Sequence, residues 1–308
     1  MPNAMTPDMT ARPAYLTLHR SGELALRAEQ AAAHLTSCDL CPRRCRVDRT
    51  THAGTCRIGR WARVASFHPH FGEEAPLTGQ HGSGTIFFSG CNLRCQFCQN
   101  HDISQAADAP EVDAAQLAAM MLHLQDLGCH NINLVTPSHV AAQILEALHL
   151  AAHQGLHLPL VYNSGGYDCL ETLHLLDGVI DIYMPDMKYA DARAGQSYSH
   201  VSDYPAISRA AVKEMHRQVG DLVLDREGIA VRGLLVRHLV LPNGRAGTEQ
   251  IVRFLARTIS RGTYLNLMDQ YRPSHKAAQV EALNRAITPE EYSRARSAAE
   301  AAGLSRFA

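Results

Sequence analysis

From Thr85 onward the chain repeats one arrangement six times, a short apolar run followed by a helical stretch. The runs are "TIFFS", "INLV", "LPLVY", "VIDIYM", "GLLVRHLVL" and "TYLNLM", and the helical stretches are 112–127, 140–153, 169–176, 205–217, 248–259 and 289–302. Near-continuous apolar strands alternating with amphipathic helices imply a parallel sheet covered by helices. The stretch 112–127 shows the logic: Leu117, Met120, Met121 and Leu124 form one apolar stripe, Asp113 can cap the start, and Gly128 ends it. Six units fall short of a closed eight-unit barrel, so the expected fold class is α/β, a partial open (β/α)6 barrel. A flat doubly wound sheet fits the same pattern. In either fold, ligands meet the loops at the C-terminal ends of the strands.

Upstream the pattern is different. Residues 1–12 read as a disordered tail, 13–82 as an N-terminal extension and 83–308 as the barrel. The extension holds a helix in "GELALRAEQAAAHL", a turn-rich stretch with four cysteines, and "VASFHPHFGEEAPLTGQHGSGT", which reads as an extended connection. A formal net charge of −1 over 308 residues gives no broad basic surface, so nucleic acid is not an expected partner. No apolar run is long enough to span a bilayer, and "MPNAMTPDMT" lacks the basic-then-apolar pattern of a signal peptide. The expected location is therefore the cytoplasm. In that reducing compartment nine cysteines read as metal ligands rather than disulfides, and seven of them fall between Cys38 and Cys98.

Three of the seven, Cys91, Cys95 and Cys98, directly follow the first strand of the repeat, on the ligand-binding side of the sheet. A C-x3-C-x2-C run leaves one iron of a [4Fe–4S] cluster without a protein ligand, and catalytic metal sites keep such a position open. The competing reading is zinc with a fourth ligand such as His101. The other four, Cys38, Cys41, Cys45 and Cys56, close a site completely, which suits structural zinc or an auxiliary [4Fe–4S] cluster. Spacing does not choose between those two. Such a site would staple the extension to the barrel. Cys129 and Cys169 are isolated and read as buried small hydrophobes. His68 and His70 share a face of an extended chain, with an ordinary loop as the favoured reading.

"CNLRCQFC" resembles the signature of the radical S-adenosylmethionine (SAM) enzymes, C-x3-C-x-aromatic-C, with Phe97 in the aromatic position. Together with "HFGEE" and "LPNGRAGTEQ" it is similar to the PflX-type branch of pyruvate formate-lyase activating enzyme homologues. The resemblance implies a [4Fe–4S] cluster, SAM as cofactor, and reductive cleavage of SAM to a 5′-deoxyadenosyl radical that abstracts hydrogen from a substrate. It also implies a protein or peptide substrate and a reductant such as flavodoxin or ferredoxin.

The family places a Gly-Gly-Glu-like segment after the second strand, where this sequence has "LVTPSHV". Thr136 and Ser138 are the candidate acceptors for the SAM ammonium there, with helix capping as the other reading of Ser138. Asn163 and Ser164 of "YNSGG" follow at the third strand, where glycines permit close approach of a ligand. In "MPDMKY", Asp186 and Lys188 align with family residues that contact SAM, and they share one strand face. His238 aligns with a family histidine near the ribose, and Asp269, Gln270, Tyr271 and Arg272 are candidate substrate contacts. No residue is assigned a catalytic role. A non-enzymatic iron–sulfur sensor or zinc-stapled binding module is the alternative; polar residues after most strands argue against it.

Overall fold

In the computed structural model, residues 12–308 are described. The expected tail, residues 1–12, lies outside them apart from Arg12. Ten strands form one sheet: β1 Ala62–His70, β2 Ser83–Phe88, β3 Glu111–Val112, β4 Ile132–Val135, β5 Leu160–Ser164, β6 Ile182–Pro185, β7 Val223–Leu224, β8 Ala230–Leu239, β9 Tyr264–Met268 and β10 Arg306–Phe307. The order across it is β10-β9-β8-β6-β5-β4-β2-β1-β3, with β7 paired to β8. The six apolar runs are β2, β4, β5, β6, β8 and β9, and they pair with one another in parallel, whereas β1 on β2 and β7 on β8 are antiparallel. The fold is therefore α/β with a mostly parallel central sheet that does not close.

Alternation along the strands separates two faces. Ile132, Leu134, Leu160, Tyr162, Tyr183, Leu234, Val236 and Leu265 enter the large core beneath the helices. Val161, Ile182, Met184 and Leu235 pack together with Leu77 and Leu222 on the other face. The sheet is curled. Asn266 on β9 donates from Nδ2 to Glu74 Oε1 at 2.8 Å, although Glu74 follows β1, near the opposite end of the strand order.

The helix Ala114–Asp126 begins as its sequence demands, with Asp113 and Gln116 in a reciprocal capping box. Leu117, Met121 and Leu124 are buried, and Met120 packs at the margin. Three differences from the sequence reading concern polar or broken segments. The expected helix in "GELALRAEQAAAHL" is Glu23–Ala33, and a further helix, Tyr15–Ser21, precedes it across Gly22. The expected extended connection contains β1, antiparallel to β2; its outer half is exposed at the sheet edge, so histidines and Pro69 replace an apolar pattern there. A helix at Ala192–Ser199, capped by Asp191, lies between β6 and the expected helix 205–217, where no element was expected. Among the described residues, no helix is long and apolar enough to cross a membrane.

Candidate metal and cofactor site

The chain leaves β2 at Phe88, turns at Gly90, and runs directly into Cys91, Cys95 and Cys98. Gly90 has φ of +79°, and a Cβ there would stand 2.7 Å from the Cys56 carbonyl oxygen, so this contact between loop and extension requires glycine. Each of the three sulfurs has a polar partner. The Leu93 N–H donates to Cys91 Sγ at 3.3 Å, Ser199 Oγ donates to Cys95 Sγ at 2.9 Å, and Ser104 Oγ lies 3.2 Å from Cys98 Sγ. Ser199 is in turn 2.7 Å from the Tyr189 hydroxyl, so a buried hydroxyl pair stands behind Cys95. Phe97 is buried edge-on against Tyr189 and Tyr271.

Burial, and then the neighbouring Cys95, push the Cys91 thiol up to about 12, while Lys188 pulls the other way. Burial likewise raises Cys95, again opposed by Lys188. Thiolates so placed need cations to settle them, and three such donors on one loop fit three irons of a cluster.

Beyond the loop lies a charged group built from three strand ends. Burial disfavours the Asp186 carboxylate, yet Arg237 and Lys188 together hold its pKa below the usual carboxylate range. The distances are 2.9 Å from Arg237 Nε to Asp186 Oδ1 and 2.5 Å from Lys188 Nζ to Asp186 Oδ2. Arg237 also donates to Asn163 Oδ1 at 2.7 Å, linking β8 to β5. Burial opposes the charge on Lys188, but Asp186 and Cys95 overcome it and raise its pKa. Gly166 lets the β5 loop pass against the β6 end: its φ is +71°, and a Cβ would lie 2.0 Å from the Asp186 carbonyl oxygen. Gly166 therefore accommodates protein backbone at this point.

Thr136 has φ of +62°, a conformation costly for a β-branched residue, and its N–H donates to the Asn163 carbonyl at 2.9 Å. The structure thus brings Thr136, Asn163, Asp186 and Lys188 to adjoining strand ends beside the cysteine loop.

The remaining candidates stand differently. Ser164 donates to Asp168 Oδ2 at 2.7 Å, and Tyr162 donates to Asp168 Oδ1 at 3.0 Å. Burial raises the Asp168 pKa, while Ser138 and Ser164 lower it by hydrogen bonding. Ser138 makes no cap for the helix Ala141–His153. His238 is wholly buried on the face opposite Arg237. Its Nδ1 is 2.6 Å from the Met187 carbonyl oxygen and its Nε2 is 2.9 Å from Thr248 Oγ1, so both nitrogens are engaged by the protein. Burial lowers its pKa to about 4. Tyr271 is buried, donating to the Leu283 carbonyl at 2.7 Å.

Three contributors escaped the sequence reading: Arg237, Asp168 and Ser199. For Arg237 the signal was present, because an arginine inside an apolar strand is costly unless paired. Nothing local marked Ser199, whose contact with Cys95 spans 104 residues.

Of Cys38, Cys41, Cys45 and Cys56, the last two stand against the turn at Gly54. A Cβ on Gly54 would lie 3.3 Å from Cys45 Sγ and 3.5 Å from Cys56 Sγ. Among the described residues, no three or more His, Cys, Asp or Glu side chains converge tightly enough for one metal ion. Arg49 ties this segment to the sheet. Its wholly buried guanidinium donates to the carbonyls of His139 at 2.7 Å and Gly59 at 3.1 Å, with Nη1 3.8 Å from Cys38 Sγ.

The chain is 34% identical over 289 residues to the uncharacterized protein MJ0674 of Methanocaldococcus jannaschii, covering 90% of this chain and 78% of that protein. It belongs to the same family as that archaeal protein. It is also 27% identical over 173 residues to the pyruvate formate-lyase-activating enzyme of Clostridium pasteurianum, covering 54% of this chain and 65% of that enzyme. No family model matches.

Among solved structures, a radical SAM methyltransferase from Sphaerobacter thermophilus is similar over 73% of this chain and 65% of its own, with 14% identity and a TM-score of 0.46. Native anSMEcpe with bound AdoMet gives 10% identity and a TM-score of 0.48 over 71% of this chain and 61% of its own. Streptococcus suis SuiB bound to precursor peptide SuiA gives 13% and 0.45 over 67% and 42%. The chain spans less than two thirds of the clostridial enzyme and of each solved chain.

Proposed function

We propose that this chain is a radical SAM enzyme of the activating-enzyme type, in which Cys91, Cys95 and Cys98 hold a [4Fe–4S] cluster. The observation that carries the reading is the three-cysteine loop at the C-terminal end of β2, with a polar partner at each sulfur and the Asp186–Lys188–Arg237 group beside it. The cluster and SAM, when bound, supply one-electron cleavage of SAM to methionine and a 5′-deoxyadenosyl radical. The protein's own residues position and shield. Lys188 offers donor N–H groups beside the cysteines for the SAM carboxylate. Thr136 and Asn163 present acceptors at the same strand ends for its ammonium. Phe97, with Tyr189 and Tyr271, keeps water from the loop's inner side. Ser138, Ser164 and Asp168 brace the β5 loop, and His238 fixes the β8 end by bonding Met187 and Thr248.

The likeness to the clostridial pyruvate formate-lyase-activating enzyme supports a protein substrate; hydrogen abstraction from it, with flavodoxin or ferredoxin as electron donor, is the reaction we infer. We infer that the four cysteines of the extension would close on a second metal when it is bound, zinc or a [4Fe–4S] cluster, and so fasten residues 38–56 to the sheet. Low-temperature EPR of the anaerobically reconstituted, dithionite-reduced protein tests the proposal. A reduced [4Fe–4S] signal whose g-values change on adding SAM is expected. An unchanged spectrum at saturating SAM contradicts it.

A further inference from the structure

An open cavity lies against the cysteine loop, and its lining includes none of Thr136, Asn163, Asp186 and Lys188. It has a volume of about 400 Å³ and touches Cys56 on one wall and Cys91 on another. Its lining takes one cysteine from each group, so it lies between the extension and the cysteine loop. Its lining includes Arg43, Arg57, Arg94, Lys276, His200 and His275, and no carboxylate. A cavity of this size accommodates a small ligand rather than a protein surface.

Two further observations mark it as prepared for an anion. First, the three guanidiniums are oriented by backbone carbonyls and by no acid. Arg57 Nη1 donates to Gln105 O at 2.6 Å, and Arg94 Nη2 donates to Thr55 O at 3.1 Å. Arg43 donates from Nε to Asn92 O at 2.7 Å and from Nη1 to His200 O at 3.3 Å. Among the described residues, neither these arginines nor Lys276 forms an ion pair. Each guanidinium has five N–H donors, so most remain free, held in fixed directions. Second, Arg57 and His275 have positive φ, at +68° and +51°, whereas the +58° of His200 is the left-handed cap of the helix Ala192–Ser199. Such strain concentrates where the surrounding structure clamps a ligand.

We propose that this cavity binds a small polyanion of the phosphate class. The anion would bridge residues 55–57 of the extension to the cysteine loop, through forked contacts that suit tetrahedral oxyanions. The inference is independent of SAM cleavage, since it rests on side chains outside the Asp186–Lys188–Arg237 group.

Isothermal titration of inorganic pyrophosphate into the full-length, reconstituted protein tests it. One saturable site is expected, weakening as sodium chloride is raised. Arg57→Gln and Arg94→Gln should each weaken it about tenfold or more, the loss of one charge-assisted contact. The exposed Arg257→Gln should leave it unchanged. A second measurement needs no variant: pyrophosphate should slow phenylglyoxal labelling of Arg57 and Arg94 in the wild-type protein, read by peptide mass spectrometry. Absence of saturable heat, binding that survives both substitutions, or protection at other arginines overturns the proposal. So does binding of an acidic protein without binding of pyrophosphate.

Discussion

Arg237 and Asp186 meet at 2.9 Å between the β8 strand and the end of β6, and Lys188 shares the same carboxylate from its other oxygen. One buried anion therefore holds two buried cations beside the cysteine loop. Glu73 and Glu74 also act on Arg237, so the group is a network rather than a pair.

Asp186→Asn should be costly for this reason. It leaves Arg237 and Lys188 without their shared carboxylate, and breaking a buried pair of this kind costs about 3–5 kcal/mol. Urea unfolding of the substituted protein should show that loss, and SAM affinity should fall with it. Stability within about 0.5 kcal/mol of wild type would mean that Glu73 and Glu74 carry the cations instead.

Ser199→Ala removes the 2.9 Å hydrogen bond to Cys95 Sγ. Hydrogen bonds to cluster sulfurs stabilise the reduced, more negative state, so the reduction potential should fall, on the order of tens of millivolts. An EPR-monitored redox titration checks this; an unchanged or higher potential places Ser199 outside the cluster's influence.

Arg49→Leu should uncouple the extension from the sheet. The buried guanidinium bonds His139 and Gly59, each a charged hydrogen bond, and about 3 kcal/mol is at stake. Limited proteolysis should then cut within residues 38–56 before the rest of the chain. A chain cut no faster than wild type shows that the cysteines hold the segment without Arg49.

His238 gives a pH dependence. Its folded pKa is lowered by burial to about 4, from 6.5. The unfolded chain then takes up a proton first as pH falls. Stability from this group is complete above pH 6.5 and is lost between there and pH 4. Asp181 works in the opposite sense, because burial raises its pKa to about 6, so the two partly cancel in the wild type. The clean comparison is with His238→Gln. Between pH 7 and 4.5 the wild type should lose about 2–3 kcal/mol relative to the variant in denaturant midpoints. Parallel curves would show that His238 titrates alike in both states.

What the sequence could reveal follows from how local each feature is. The six parallel strands were legible because both their faces are covered, leaving unbroken apolar runs. Asp113 was legible as a cap because a capping box is contained within four residues. β1 was hidden because its edge position tolerates His68, Pro69 and His70. In "VRHLVL" the residue singled out was His238, whereas strand alternation puts Arg237 on the inner face with Asp186. The approach of Cys56 to the Gly90 turn joins segments far apart in the chain, and no local pattern encodes it.

The most direct measurement is of 5′-deoxyadenosine, by mass spectrometry, after anaerobic incubation of the reconstituted protein with dithionite and SAM. Wild type should produce it, and a variant with Cys91, Cys95 and Cys98 all changed to Ala should produce none. An absence of product from wild-type protein carrying an intact [4Fe–4S] spectrum, with or without candidate peptide substrates, would contradict the account.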